Sequence, residues 1–224
     1  MLAAVILAAG ESSRMGSPKP LLPLRGHTFL EHLLDVIRDP SLNADAPSPN
    51  GAPKQVEAPV DQSASAGSRR IGCTRVVLGA HEEKIRAQCA LDHAGVIVNF
   101  DWKFGQLSSI HEALRSLPAD ETDGILLFLV DHPLVSKDLV AALIRTFYDS
   151  KAPIVVPTYR GRRGHPVIFA RSLYGELIAA PRNQGARAVV WAHAAEIVEV
   201  PTEEEGVVLN LNDPEALRRA LGAG

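Results

Sequence analysis

A chain of 224 residues, 46% hydrophobic and 22% charged, can bury a sizeable core and has the composition of a soluble globular protein. Its net charge of -3, with no basic stripe or interleaved aromatic cluster, argues against a nucleic-acid partner. Two cysteines, Cys73 and Cys89, exclude a disulfide framework, and no apolar run approaches a membrane span, so no membrane association and a cytoplasmic location are expected.

In chain order, the apolar, β-branched stretch Ala3–Ala8 reads as a first strand. A glycine loop follows, and then a helix over Phe29–Arg38, where Thr28 and Glu31 stand at the spacing of a capping box. Residues 40–72 change character: five prolines among alanines and serines predict a low-complexity, flexible insertion. Beyond it, strands at Arg75–Gly79, Gly95–Asn99 and Gly124–Val130 alternate with helices at Glu82–Leu91, Leu107–Ser116 and Lys137–Tyr148. A strand at Pro153–Pro157 comes next, then an apolar strand after Gly164-His165-Pro166. Helices at Ser172–Ala180 and Gly185–His193 lead to a strand at Glu196–Pro201. This alternation predicts a single doubly wound α/β domain over residues 1–224 with a mostly parallel central sheet. Met1 to Ala9 lacks the basic start of a secretion signal. In such folds ligands bind at the carboxyl ends of the strands.

The first of those ends carries the most information. Leu7-Ala8-Ala9-Gly10 opens a loop that continues Glu11-Ser12-Ser13-Arg14-Met15-Gly16-Ser17-Pro18-Lys19. Glycines let backbone N–H groups approach phosphate oxygens, and an arginine and a lysine neutralise charge that amides cannot. Five residues separate Gly10 from Gly16, and Lys19 comes three later, so the spacing is neither a P-loop nor a dinucleotide fingerprint. The run LAAGESSRMGSPKPLLPL resembles the signature of nucleotidyltransferases with the molybdenum-cofactor transferase fold, specifically the molybdenum cofactor cytidylyl- and guanylyltransferases. The resemblance implies a Rossmann-like nucleotidyltransferase fold and a role in molybdenum cofactor biosynthesis. It also implies transfer of a nucleoside monophosphate from CTP or GTP to a phosphorylated acceptor, with release of pyrophosphate. Leu7, Ala8, Ala9 and Gly10 would then line the nucleotide, with Arg14 and Lys19 on the triphosphate.

Asp131 emerges directly from the most hydrophobic strand, before His132 and Pro133, and is placed to hold a metal. The family carries an Asp-x-Pro here whose aspartate ligates Mg²⁺, the expected cofactor. His132 occupies a variable position of that motif and reads as structural. Near the C-terminus Asn210 and Asn212 stand where the cytidylyltransferase form has aspartates. Asn212 is the candidate second ligand, with helix capping by Asn212 or Asp213 the alternative.

Gly164-His165-Pro166 resembles the acceptor side of the cytidylyltransferase group, making His165 and Arg163 candidate acceptor contacts; a solvated hairpin tip is the other reading of the arginines. Ser108 and Ser109 are placed either to read a base edge or to cap a helix, and Gly79 to let the base approach. Two further readings stay open. The acceptor is a sugar phosphate or another small phosphate ester, or the chain is a non-catalytic nucleotide-binding protein that passes a cofactor to a client. A molybdoenzyme is the client the family implies.

Overall fold

All seven residues of the first strand, β1 (Leu2–Ala8), are buried, and the rest of the fold is arranged about it. The structure is a computed structural model that describes residues 1–12, 16–42, 70–118, 121–212, 215 and 217–218. After β1 come a two-residue hairpin of β2 (Pro23–Leu24) and β3 (His27–Thr28), then α1 (Phe29–Arg38). The chain continues through β4 (Ile71–Leu78), α2 (Glu82–Gln88), β5 (Gly95–Val98), α3 (Gln106–Arg115) and β6 (Gly124–Leu129). It ends with α4 (Lys137–Ser150), β7 (Ile154–Tyr159), β8 (Arg162–Arg163), β9 (Val167–Ala170), α5 (Tyr174–Ala179), α6 (Arg187–Ala192) and β10 (Ile197–Pro201).

Eight strands form one sheet in the order β10-β7-β9-β6-β1-β4-β5, with β8 paired to β7 outside that path. β1 pairs in parallel with both β4 and β6, and β9 is antiparallel to β6 and β7. The sheet is therefore mostly parallel, as the alternation predicts. The period of two divides it into two cores. Leu2, Ala4, Ile6 and Ala8 face α1 and α4, whereas Ala3, Val5 and Leu7 face α3, α5 and α6. A strand covered on both sides has no polar face to show, which is why β1 and β6 are continuously apolar.

The first helix follows its sequence signals closely. Thr28 accepts from the Glu31 main-chain N–H, and the Glu31 carboxylate accepts from the Thr28 N–H. Five side chains of α1 are buried: Phe29, Leu30, Leu33, Leu34 and Ile37. At about 1.5–3 kcal/mol for each large apolar side chain, that stripe outweighs the cap's contribution of about 1 kcal/mol. The cap fixes where the helix starts; the stripe keeps it folded.

Several boundaries differ from expectation. α2 stops at Gln88 because Cys89 turns extended with its side chain in the core. β7 runs on to Tyr159 because β8 and β10 offer it partners. At the edges of the 40–72 segment, Pro40–Leu42 forms a 3₁₀ turn that buries Leu42, and Ile71 already pairs with Leu2. Residues 43–69 lie outside the described residues. No helix among those described is long and apolar enough to cross a membrane.

Candidate active site

At the carboxyl ends of β1 and β6 lies a cleft of about 230 Å³. One wall is the end of β1 and its continuation, Leu7, Ala8, Ala9, Gly10 and Ser12; another is Leu129, Val130 and Asp131 at the end of β6. Lys19, Pro20, Trp102, Gly105, Gln106 and Ser109 complete it. The two strand ends are tied together by the Val130 N–H, which donates to the Leu7 carbonyl at 3.2 Å. The Ala80 N–H donates to the Ala9 carbonyl at 3.0 Å and fixes the glycine turn from the other side.

The described ends of the loop beyond Gly10 are drawn together. Ser12 and Gly16 both take left-handed backbone, at φ 57° and 65°. The Ser12 hydroxyl accepts from the Lys19 main-chain N–H at 2.9 Å, which returns Lys19 to the cleft. Residues 13–15, and with them Arg14, lie outside the described residues.

Lys19 is the centre of the charged group. Its Nζ lies 3.3 Å from Asp131 Oδ2 and also donates to Asn212 Oδ1. Asp131 is delivered by the end of β6, and its carbonyl accepts from the Leu211 N–H at 2.9 Å. That bond brings the C-terminal segment alongside, so Asn212 reaches a lysine 193 residues away in the sequence. The lysine and aspartate side chains are only 18% and 19% exposed, so their attraction is less screened than that of a surface pair. A carboxylate oxygen and an amide oxygen converging on one cation also form the donor set of a hard divalent ion, which takes one or two protein oxygens beside phosphate and water. Among the described residues no group of three or more His, Cys, Asp or Glu gathers to hold a metal.

Of the other sequence candidates, some line the cleft and others stand away from it. Buried Asn99 donates from Nδ2 to Ser108 Oγ at 2.8 Å and to Ser109 Oγ at 3.0 Å. Ser109 lines the cleft, while the Ser108 hydroxyl is turned to the Asp101 and Gly105 carbonyls and neither serine caps α3. Gly105 and Gln106 put the N-terminal end of α3 at the cleft, where unpartnered N–H groups favour an anion. Gly79 does not line the cleft; a Cβ there would stand 2.7 Å from Trp102 Cβ and 2.8 Å from the Ala9 carbonyl oxygen.

His165 and Arg163 also stand off the cleft wall. Arg163 donates from Nε to Glu199 Oε1 at 2.7 Å on the exposed hairpin. His165 packs on His132, ring centroids 5.0 Å apart, directly behind Asp131 in the chain. Burial pulls the His165 imidazole down to about 4, with the neighbouring His132 adding to it, and burial lowers His132 as well. Both rings are neutral near pH 7, and each leaves a buried Nδ1 without a partner. Sequence reasoning missed Gln106 and the organising role of Asn99. A buried asparagine at a strand end was the available signal, but only the fold shows that it ties two serines to a loop.

A model of the MobA-like NTP transferase domain matches residues 4–197. The chain belongs to that family. This NTP transferase domain is of nucleotidyltransferase type, and three relatives place it further. Bifunctional protein GlmU of Francisella philomiragia is 33% identical over 167 residues, 72% of this chain and 30% of that protein. The chain thus spans about a third of the length of the GlmU proteins it matches. Nicotine blue oxidoreductase of Paenarthrobacter nicotinovorans is 28% identical over 182 residues, 75% of this chain and 71% of that protein. The crystal structure of Rv0371c from Mycobacterium tuberculosis is 27% identical, with a TM-score of 0.75 over 99% of this chain and 97% of the other. Rv0371c has also been solved in complex with manganese, at 26% identity and a TM-score of 0.70, covering 100% of this chain and 99% of the other.

Proposed function

We propose that this chain transfers a nucleoside monophosphate from CTP or GTP to a phosphorylated acceptor, with a molybdopterin-type cofactor as the favoured acceptor and a molybdoenzyme as its eventual client. The observation that carries the reading is the meeting of Lys19, Asp131 and Asn212 at the mouth of a cleft walled by Ala8, Ala9 and Gly10. In the reaction an acceptor phosphate oxygen forms a bond to the α-phosphorus, and the bond from that phosphorus to the bridging oxygen breaks. Pyrophosphate leaves with the electron pair. No protein nucleophile is required, so catalysis rests on alignment and on neutralising charge.

The residues divide that work. Backbone of Leu7 to Gly10 and the start of α3, which line the cleft, are assigned to the nucleotide, and Ser109 to its base or ribose. Lys19, with Arg14, balances charge on the triphosphate and the departing pyrophosphate. Asp131 and Asn212 are the residues that would hold Mg²⁺. When bound, the ion would supply neutralisation of phosphate charge. The manganese complex of Rv0371c supports a divalent ion. His165, which packs on His132 next to Asp131, and Arg163 are assigned to the acceptor side.

Incubation with α-labelled CTP, GTP, ATP and UTP, each with a molybdopterin-type acceptor and with a panel of sugar phosphates, tests the reading. Label transfer with pyrophosphate release is expected only with an acceptor present. Lys19→Ala should lower turnover by about 10²–10³-fold, the scale of a lost electrostatic donor. Unchanged turnover in that variant would remove Lys19 from the mechanism.

One observation favours a second reading: nicotine blue oxidoreductase matches over most of its own length. In that reading the cleft holds a nicotinamide dinucleotide. Oxidation of NADH or NADPH by a dye acceptor, with no pyrophosphate from any triphosphate, would put redox chemistry first.

A further inference from the structure

Resting on the nucleotidyltransferase reading, we propose that Lys19 is a displaceable internal cation. Its ammonium occupies the oxygen pair of Asp131 and Asn212 until a polyphosphate draws it away, so a divalent ion gains that place only in company with a polyphosphate.

The charge count leads to this. Asp131 contributes one negative charge, Lys19 one positive, and Asn212 none, so the described group is already neutral. An ammonium has three N–H donors and no acceptor, and two of these are committed to Asp131 Oδ2 and Asn212 Oδ1. The same two oxygens are the protein ligands a divalent ion would need. A divalent ion entering alone must either share them with a cation in contact or expel it into the cleft with no anion to receive it. Both are unfavourable where the side chains are mostly shielded from water. A triphosphate changes the sum. Its negative charge offers the ammonium a better partner within the same cleft, and it carries ligands of its own for the metal.

Two features let the lysine move without disturbing the loop. Its main chain is held by the Ser12 hydroxyl and lies between Pro18 and Pro20, so the Cα is fixed. The four-carbon stem above it is flexible, and both Lys19 and Asp131 face the open cleft. Asn212 decides the balance. A carboxylate there would leave the oxygen pair with charge enough to hold a metal beside the lysine; an amide does not.

The test is a titration of Mn²⁺ followed by the loss of its free-ion electron paramagnetic resonance signal. It uses wild type, Lys19→Met and Lys19→Met/Asp131→Asn, with thermal melting as a check on folding. Probes are Mn²⁺ alone and Mn²⁺ with inorganic tripolyphosphate, which carries no base. With Mn²⁺ alone, Lys19→Met should bind at least about tenfold more tightly than wild type, within the usual range of coupling between sites. The double variant should lose that gain, and tripolyphosphate should bring Mn²⁺ onto wild type. Equal affinity of wild type and Lys19→Met for Mn²⁺ alone would overturn the proposal. Asn212→Asp is the second route if Lys19→Met does not fold: it should raise affinity for Mn²⁺ alone, and no change would be equally fatal. Label transfer by wild type is scored separately. If transfer persists while Mn²⁺ uptake ignores Lys19, this inference fails and the functional reading stands.

Discussion

Contacts at single residues set how the cleft responds to change. The space a side chain on Gly79 would need is already taken by Trp102 and by the Ala9 carbonyl oxygen. Gly79→Ala should therefore force the Trp102 wall or the turn after β1 to shift. The expected cost is about 1–3 kcal/mol in urea denaturation, the usual penalty for overpacking, together with weaker nucleotide binding. Native stability with native binding would show that the wall yields freely. A different residue gives the molecule a pH response away from the cleft. His193 lies with Nδ1 2.7 Å from Glu196 Oε1 and Nε2 2.9 Å from Glu176 Oε2. Ionised carboxylates only accept, so both bonds need a doubly protonated ring. The Glu176 and Glu196 hydrogen bonds accordingly raise the His193 pKa. The folded value is the higher one, so the contribution is full below about 6.5, the value for a free histidine. It fades as pH rises through the raised value. His193→Gln should melt below wild type at pH 6, and the gap should close by pH 9. A gap that is the same at both would show that the ring's charge is not involved. The effect will be modest, because both glutamates are largely exposed.

Among the elements, α1 gives the cleanest test of local coding. Thr28→Ala removes the hydroxyl of the capping box and should cost about 0.5–2 kcal/mol, with Thr28→Ser restoring most of it. Calorimetry of the three proteins decides it. This is also the scale at which the sequence is most legible. Phe29–Arg38 is bounded as its cap and its apolar stripe predict, and Ser136 caps α4 through a bond from the Leu139 N–H. β1 and β6 are recognisable because burial on both faces leaves a continuous apolar run. The position of β9 is not legible in the same way. Its apolar residues mark a strand, but nothing local says that it slips antiparallel between β6 and β7. The site divides along the same line. Lys19 and Asp131 sit in motifs that declare themselves, whereas the embrace of Asn99 with Ser108 and Ser109 depends on a turn visible only in three dimensions. Arg163 shows the same limit: a basic tip beside two glycines suggests an anionic partner, and the sequence alone does not point to the carboxylate it meets in the fold, Glu199 on β10, 36 residues away.

For the molecule as a whole, the C-terminal segment acts as a strap across the carboxyl ends of the strands. A Cβ on Gly206 would lie 1.8 Å from the Leu134 carbonyl oxygen, and one on Gly164 would lie 2.3 Å from that of Val207. The strap is thus in close backbone contact at Gly206 and Val207, and its course brings Asn212 to Lys19. Gly206→Ala should lower the melting temperature and also loosen Mn²⁺ held with tripolyphosphate; a stability loss with native Mn²⁺ uptake would mean that Asn212 is positioned independently of the strap. The spacing of the charged trio has a further consequence, one that concerns time. Asp131 and Asn212 lie 112 and 193 residues beyond Lys19, and β1 finds its partners only in β4 and β6. Such long closures are slow and come late in folding. β1 must wait for β4 and β6, and the charged trio is complete only once Asn212 has joined it. Nucleotide capture is thus placed to report a finished fold rather than to guide one.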